Sequence, residues 1–542
     1  MPGGVLVHGA TGAGIVAAIA AARSGAASVT LLACSSHVGG MLTGGLQHTD
    51  SANASVIGGI TREMFIRIEK EYPGRSTNAS YPPGHSPPGW LYESHVAQRI
   101  VDRMLLEANV TIIRGAGGIR SAKRQGTRTV SVETDAGVFS ADVFIDASYE
   151  GDLLAAAGIS MTWGRESSKK YNESSAGRRR GTPLAGLTIN PYWNASAAVP
   201  EPLPHVSAVP PVAIGEGDSW IEAYDFRLCF TNSPGNQFPL RRPVTYNGSS
   251  FELWRRIYRA KPPKTLAEAG LACLGPVPNS YGDCGENRPC KKCDMLGMVH
   301  GTDLTNGAWR YPNGTRQERE AILRAHVEFT EGLLWFWLTD PSVPTPVRDE
   351  LAQYGHCADE YSATSTPPHW PPQLYVREAR RLVGQFVWTE HPPPEAQRIR
   401  SIGLGSYTFD CHTVSRIIHR TGNPLSDYVV VEGRVNDGTD GRPTSGVIQR
   451  SFEIPFDAML PKASEASNLL AACALSASHL RFNAVRMEPT WMIIGHAAGV
   501  AAAMATESNG GRDAAPSPAS LHAIDVRELQ RRLEDQGQRI WP

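Results

Sequence analysis

The first fifty residues leave few folds open. Val5-Leu6-Val7-His8 is an apolar run that ends in Gly9-Ala10-Thr11-Gly12-Ala13-Gly14, and an alanine-rich stretch from Ile15 to Arg23 follows. A second apolar run, Val29-Thr30-Leu31-Leu32, leads to Gly39-Gly40-Met41-Leu42-Thr43-Gly44-Gly45. Strand, glycine turn, helix, strand, glycine turn is the order a nucleotide-binding βαβ unit needs, because the turn backbone must touch a pyrophosphate at a helix N-terminus. Gly9 lets the chain leave the strand sharply, Gly14 lets the helix approach the sheet, and the middle of the turn stays small. Thr11 stands where a G-x-G-x-x-G pattern has its second glycine, with Gly12 beside it. The competing reading is an ordinary tight βα turn. A ribose-binding acid is expected roughly 20 residues on, at the end of the second strand. That strand ends Leu32-Ala33-Cys34-Ser35-Ser36, so Ser35 or Ser36 has to stand in for it.

Bulk properties remove several function classes. Lys plus Arg is 52 and Asp plus Glu is 53, a net charge of -1, with no basic surplus for nucleic acid and no polybasic tail for a membrane surface. No apolar run reaches the ~18 residues of a spanning helix. The 542 residues allow a large core and more than one domain-sized unit. No signal peptide precedes the first strand, which fits a soluble, cytoplasmic chain. Asn-X-Ser/Thr sequons at Asn53, Asn78, Asn109, Asn172, Asn194, Asn247 and Asn313 point instead to the secretory pathway and to a glycoprotein. Cys273, Cys284, Cys290 and Cys293 cluster in a loop-like stretch and admit disulfides, loop thiols, zinc or an iron–sulfur centre. Cys34, Cys229, Cys411 and Cys473 sit in apolar contexts and read as small core residues.

Along the chain, periodicity predicts helices over 57–72, 96–108, 317–337, 373–385, 491–505 and 525–534. Strands are expected at 110–113, 143–146 and 468–472, with a hairpin at 128–139. The stretch 165–220 is rich in Lys, Arg, Ser and Pro and reads as an irregular excursion, and 508–520 as a linker. This organisation gives a cofactor domain from 1–164 and 461–507, a substrate or cap domain at 165–460, and a linker with a terminal helix at 508–542.

Several separated blocks fit one pattern: Gly9-Ala-Thr-Gly-Ala-Gly14, His37-Val-Gly-Gly-Met-Leu-Thr-Gly-Gly-Leu46, Phe144-Ile-Asp-Ala-Ser-Tyr-Glu-Gly-Asp152, Gln373 to Arg381, Gly403 to Tyr407, Leu475 to His479, and Arg486-Met-Glu-Pro-Thr-Trp-Met492 with Gly495. Through them the chain resembles the FAD-dependent oxidoreductase family with a glutathione-reductase-like fold, in particular xanthan-lyase-like members and those related to the flavin subunit of heterodisulfide reductase. The resemblance implies an α/β fold: a Rossmann-like βαβ domain with a mostly parallel central sheet and a β-meander, and an inserted α+β cap. It implies FAD as cofactor. Gly9, Thr11, Gly12, Ala13 and Gly14 would hold the pyrophosphate, and Ser35 and His37 would also contact the cofactor. Gly39, Gly40 and Met41 would lie beside the flavin. Ile119 would meet the adenine through its backbone, Asp146 and Ala147 would close over the nucleotide, and Arg486 and Met487 would sit near the ring. The helix at 491–505 would point its positive N-terminus at the reduced flavin.

The expected reaction passes a hydride from a small polar organic substrate to the flavin, and an unidentified acceptor such as oxygen reoxidises it. Proton handlers are sought among His479, Tyr407, Asp410 and His412, with Arg486 as the polar residue at the ring. Arg377 and Arg381 share a helix face if 373–385 is helical, and His48 and Asp50 follow the second glycine turn. Competing functions are a lyase or isomerase on a carbohydrate-like substrate, a flavin-free binding protein motivated by Ala33, and an electron-transfer subunit.

Overall fold

In the computed structural model the first strand, Gly4–His8, lies in the middle of a five-stranded sheet. The order is Leu469–Ala471, Val143–Asp146, Gly4–His8, Ser28–Leu32, Thr111–Ile113, and every neighbouring pair is parallel. The structure describes residues 4–51, 53–72, 90–277, 292–297, 300–435, 451–507 and 520–542. The linker read at 508–520, most of the 76–90 loop, and Cys284 and Cys290 lie outside them. A parallel sheet is covered on both faces, which is why Val5-Leu6-Val7 and Val143-Phe144-Ile145 are apolar without alternation.

Two helices carry the same logic further. The helix Gly12–Arg23 is buried from Gly12 to Ala21, and the helix Glu488–Thr506 is buried along nearly its whole length. Each is apolar all round, as a helix enclosed on every side must be. They pack against each other at backbone distance: a Cβ built on Gly495 would lie 2.2 Å from the Ala13 carbonyl oxygen, and one on Gly499 2.2 Å from that of Ala17. The closing part of the chain thus returns to the opening βαβ unit through glycine and alanine.

The antiparallel meander has three strands, Ser121–Gln125, Arg128–Thr134 and Gly137–Ser140. The expected hairpin is there, and the first strand, whose sequence Ser-Ala-Lys-Arg-Gln carries no β-branched residue, is the one periodicity missed. Residues 165–460 form the remainder. A five-stranded antiparallel sheet, ordered Gln237–Phe238, Gly355–Cys357, Leu228–Thr231, Lys292–Gly297, Leu271–Val277, is one part, the capped 24-residue helix Arg316–Thr339 another. A three-stranded sheet joins Ser415–His419, Tyr428–Glu432 and Thr182–Pro183. Among the described residues no helix is long and apolar enough to cross a membrane.

Three expectations are corrected. The 373–385 segment is not a helix; it is irregular apart from Arg381–Leu382, a short strand paired to Met161–Thr162. Arg377 and Arg381 therefore share no helix face. Each is fully buried and bonded to a different set of carboxylates, and those bonds override the helical propensity of the stretch. Tyr407-Thr-Phe-Asp410-Cys-His412, whose alternating polar residues read as a half-buried strand, is not one: only Cys411 pairs, in an isolated bridge with Val435. Cys229 is not a free core thiol. It is disulfide-bonded to Cys357, and a second bond joins Cys273 to Cys293, which removes both from any four-cysteine metal site.

Candidate functional site: a glycine cradle and a charged crevice

The two glycine turns are built on each other. The Gly39 N–H donates to the Ala10 carbonyl at 2.7 Å, and a Cβ on Gly40 would meet Thr11 Cα at 3.0 Å. Gly9, at φ +96°, passes so close to Ala147 and Ser148 that a side chain would overlap their backbone at 2.5–2.7 Å. Gly14 has no room either, with the Gly9 carbonyl oxygen 1.9 Å from where its Cβ would stand. Thr11 is the N-cap of the helix, its hydroxyl accepting from the Gly14 N–H at 3.2 Å and donating to the Ala147 carbonyl at 2.8 Å. The threonine that looked like a departure from the glycine pattern locks the turn to the strand beside it. Gly12 and Ala13, at the start of the same helix, have backbone N–H groups with no intrahelical acceptor.

Tyr149 and Glu488 tie the two turns to the closing helix. The Tyr149 hydroxyl accepts from the Met41 N–H at 2.9 Å and donates to Glu488 Oε1 at 2.6 Å. Glu488 is the first residue of its helix; burial pushes its carboxyl up to about 7. Its other oxygen, Oε2, is buried with no hydrogen-bond partner and lies 2.6 Å from the Cβ position of Gly12. Open N–H groups at the start of the helix Gly12–Arg23, beside a turn that tolerates no side chains, form a cradle that suits a phosphate-bearing dinucleotide. Cys34, expected as a small core residue, is instead exposed at the end of the second strand, as are Ser35 and Ser36, because the chain leaves the covered sheet there. The carbonyls of Ala33, Cys34 and Ser35 accept from Ala116, Gly117 and Gly115, which brings the segment leading to half-buried Ile119 alongside them. His37 braces the second turn, its Nε2 3.1 Å from the Gly40 carbonyl and 3.2 Å from Thr43 Oγ1, and burial lowers its pKa. Asp146 is fully buried and its oxygens accept from Ser148 N–H, Ser148 Oγ and Leu154 N–H. It holds the turn that presses on Gly9. Ala147 is likewise a backbone partner, to His8 and Thr11.

Ahead of the closing helix sits a cluster of charged side chains, buried to half-buried. Arg486 is 1% exposed and bonds through all three nitrogens: Nε to Asn483 at 2.8 Å, Nη1 to the Tyr375 hydroxyl at 3.1 Å, Nη2 to the Asp410 carbonyl at 2.7 Å and Asp410 Oδ2 at 2.9 Å. His412 has Nδ1 3.1 Å from Asp303 Oδ2 and Nε2 3.6 Å from Asp410 Oδ2, with its side chain 22% exposed. Burial and Arg377 work to lower its pKa, but Asp410 and Asp303 outweigh them and raise it. Burial acts against the Asp410 and Asp303 charges, yet His412 and the arginines hold both carboxyls below the usual carboxylate range. Burial raises the Tyr407 hydroxyl and the Asp50 carboxyl, two half-buried groups in the field of Arg486. Met487, buried, caps the Glu488 helix and joins this cluster to the cradle.

His479 stands apart. It is 2% exposed, opens the helix His479–Val485, and has Nδ1 2.8 Å from Glu378 Oε2. Burial would lower its pKa, but Glu378 more than offsets this and raises it. Tyr149, Glu488, Tyr375 and Asp303 were not singled out in the sequence. For Glu488 a signal existed, an acid followed by Pro489 at a helix start. For Asp303 and Tyr375 none did, because each meets its partner more than 70 residues away in sequence.

Among solved structures, T. acidophilum thioredoxin reductase is 25% identical over 26% of this chain and 34% of that chain, with a TM-score of 0.16. OxyS anhydrotetracycline hydroxylase from Streptomyces rimosus is 12% identical over 33% and 42%, with a TM-score of 0.21. NikD, an unusual amino acid oxidase essential for nikkomycin biosynthesis, is 14% identical over 30% and 55%, again with a TM-score of 0.21. The chain thus spans 34% to 55% of the length of these proteins. No curated protein matches it. The family model described as FAD dependent oxidoreductase matches residues 4–533, nearly the whole chain. The chain belongs to the FAD dependent oxidoreductase family, and its cofactor is FAD.

Proposed function

We propose that this enzyme oxidises a small polar organic substrate, an alcohol or amine, in the crevice between the second glycine turn and Arg486. The observation that supports it is the His412–Asp303 pair, a partly exposed imidazole oriented by a buried carboxylate within reach of Arg486 and Tyr407. FAD, when bound, supplies the acceptor for a hydride leaving the substrate carbon. Gly9, Thr11, Gly12, Ala13 and Gly14 would hold the pyrophosphate, Ser35, His37 and Ile119 the adenosine side. Gly39, Gly40 and Met41 would lie against the ring. Asp146 and Ala147 act by shaping the turn. Nδ1–H of His412 donates to Asp303, and in the neutral imidazole Nε2, 3.6 Å from Asp410 Oδ2, takes the hydroxyl or ammonium proton of the substrate as its C–H bond breaks. The Tyr407 hydroxyl, kept neutral, donates to the substrate heteroatom. Arg486 fixes Asp410 and Tyr375 and keeps the wall of the crevice positive. His479 positions Glu378 behind that wall. The electron acceptor that completes turnover is oxygen or a small oxidant. The domain division at 164, 460 and 507 follows from this reading, with 165–460 as the cap over the substrate.

The test is anaerobic bleaching of the flavin band by a panel of polar alcohols, amino acids and sugars. A substrate that bleaches the wild type should bleach His412→Asn about 100-fold or more slowly, at unchanged FAD content. Unchanged bleaching in His412→Asn removes the base assignment, and a compound converted without bleaching would favour a lyase or isomerase.

We infer further that the chain matures in an oxidising compartment. Its two disulfides support this. So do the sequon asparagines Asn109, Asn172, Asn194, Asn247 and Asn313, all exposed. A mass shift on enzymatic deglycosylation of protein from secreting eukaryotic cells is the expected result; an unmodified mass with reduced Cys229 and Cys357 would return the chain to the cytoplasm.

A further inference from the structure

Behind the wall of the crevice three side chains of metal-ligating type converge. Glu222, Cys411 and His479 are 0%, 0% and 2% exposed, and one ligand atom from each lies within 4.8 Å of the other two. They come from separate parts of the chain: Glu222 from the approach to the strand Leu228–Thr231, Cys411 from the turn between Asp410 and His412, His479 from the start of its helix.

Two features distinguish this cluster from a chance gathering. Both carboxylate oxygens of Glu222 are buried without a hydrogen-bond partner, although its own N–H donates to Glu378 Oε1 at 3.0 Å. An unpartnered buried carboxylate is among the least favourable groups a fold can keep, and buried charges are normally paired or bound to a metal. The second feature is the support around His479. Its Nδ1 is 2.8 Å from Glu378 Oε2, and Arg381 Nη1 holds the same oxygen at 3.4 Å. A carboxylate fixing one imidazole nitrogen directs the other at a metal, the usual outer shell of a histidine ligand. The other cluster of this kind among the described residues, Glu93, His95, Asp359 and Glu360, is already neutralised, with the Lys292 ammonium 2.6–3.1 Å from three of its members.

We propose that Glu222, Cys411 and the free nitrogen of His479 bind one zinc ion. Thiolate, imidazole and carboxylate together suit this borderline-soft cation. The charges close, since a thiolate and a carboxylate cancel the two positive charges of zinc and the imidazole adds none. Tetrahedral zinc with bonds of about 2.0–2.3 Å places its ligand atoms about 3.3–3.8 Å apart, so the three side chains need to close in only modestly from their present spread. Binding releases the thiol proton, and any proton on Glu222 or on the ligating nitrogen of His479, to solvent. The ion pins the 410–412 turn to the His479 helix and to residue 222, and so fixes the backbone that carries Asp410 and His412. It acts on the crevice from behind and touches no substrate.

The experiment is elemental analysis of the FAD-loaded full-length protein, purified without chelator, with X-ray absorption at the zinc edge. The expected result is about one zinc per chain, with one sulfur near 2.3 Å and the other scatterers near 2.0 Å. Glu222→Gln and Cys411→Ser should each lower the zinc content about tenfold or more at unchanged FAD content. A Cys284→Ser/Cys290→Ser protein should keep its zinc. If a variant fails to fold, the wild type still decides: zinc removal by a strong chelator should lower its Tm, and added zinc should restore it. A wild type with no zinc, no Tm response to added zinc, or two or more sulfur ligands overturns the proposal, as does zinc retained in both the Glu222 and Cys411 variants.

Discussion

In residues 4–164 and 461–507 the decisive contacts are backbone against backbone, and in residues 165–460 they are charge against charge. The first region places Gly14 on the Gly9 carbonyl, Gly39 on Ala10 and Gly495 on Ala13, at distances only a missing side chain permits. The second buries Arg165 against Asp218 and Glu432, Arg227 against Asp294, Arg377 against Asp225 and Asp303, and Lys292 against Asp359 and Glu360, with Glu93 reaching Lys292 from the first region. A phosphate cradle needs N–H groups that nothing crowds, so its builders are small residues close together in sequence. A polar substrate crevice needs fixed dipoles and charges in a water-poor space, and those must be neutralised by partners brought from afar. Arg486 and Asp410 mark the seam, one from each region, 2.9 Å apart.

The comparison predicts where each region is fragile. Arg377→Met leaves Asp225 and Asp303 buried with one cation removed, and should destabilise the protein by about 3–5 kcal/mol. Chemical denaturation measures this, and adding Asp225→Asn and Asp303→Asn should recover a good part of the loss, because the damage comes from uncompensated charge. No recovery in the triple variant would mean that packing, and not charge, holds this region. Gly14→Ala is the counterpart in the cradle. Its methyl group meets a backbone oxygen that cannot move aside, so we expect a loss of about 3 kcal/mol together with loss of bound FAD, read as the flavin absorbance of purified protein. A Gly14→Ala enzyme that keeps its full flavin content would break the backbone picture.

Thr11 sharpens the same point at lower cost. Thr11→Val keeps the shape but removes the hydroxyl that caps the helix and satisfies the Ala147 carbonyl, worth about 2 kcal/mol in thermal unfolding. Thr11→Ser should be nearly silent. A silent Thr11→Val beside a destabilised Thr11→Ser would show that the methyl group and not the hydroxyl matters.

The two regions were also unequally legible. Gly9, Gly14, Gly39 and Gly40 announce their structural positions because each reports a local backbone demand, and the strands at 143–146 and 469–471 are short unbroken apolar runs that only a covered parallel sheet produces. Tyr407, Asp410, His412 and Arg486 could be named as candidates, but not their partners. Asp303 lies in a stretch without periodicity and Tyr375 in the one misread as a helix, and their roles exist only once the chain has folded. The false helix at 373–385 has the same origin. Val376-Arg-Glu-Ala-Arg-Arg381 favours a helix locally, while Arg377 and Arg381 each gain more from buried carboxylates on other segments.

Glu488 tests the seam with the smallest effect and the clearest sign. Its carboxyl, raised by burial to about 7, binds a proton in the folded protein at pH values where the unfolded chain has lost it. A group whose folded pKa is raised contributes stability that is complete below its unfolded value, near pH 4.5, and is lost as pH rises through the folded value. Between pH 6 and 8 that loss is on the order of 1 kcal/mol. Glu488→Gln keeps an acceptor for Tyr149 and titrates nowhere, so its unfolding free energy should lack this component of the slope. The variant should therefore draw level with or overtake the wild type at pH 8 while being weaker at pH 6. If the two profiles run parallel, Glu488 is ionised throughout, and the positive ends of the helices at Gly12 and Glu488 hold that charge beside a pyrophosphate they would otherwise both serve. The weaker FAD binding expected of such a carboxylate in the wild type would then be relieved by the glutamine, and a lower FAD dissociation constant for Glu488→Gln at pH 8 would show it.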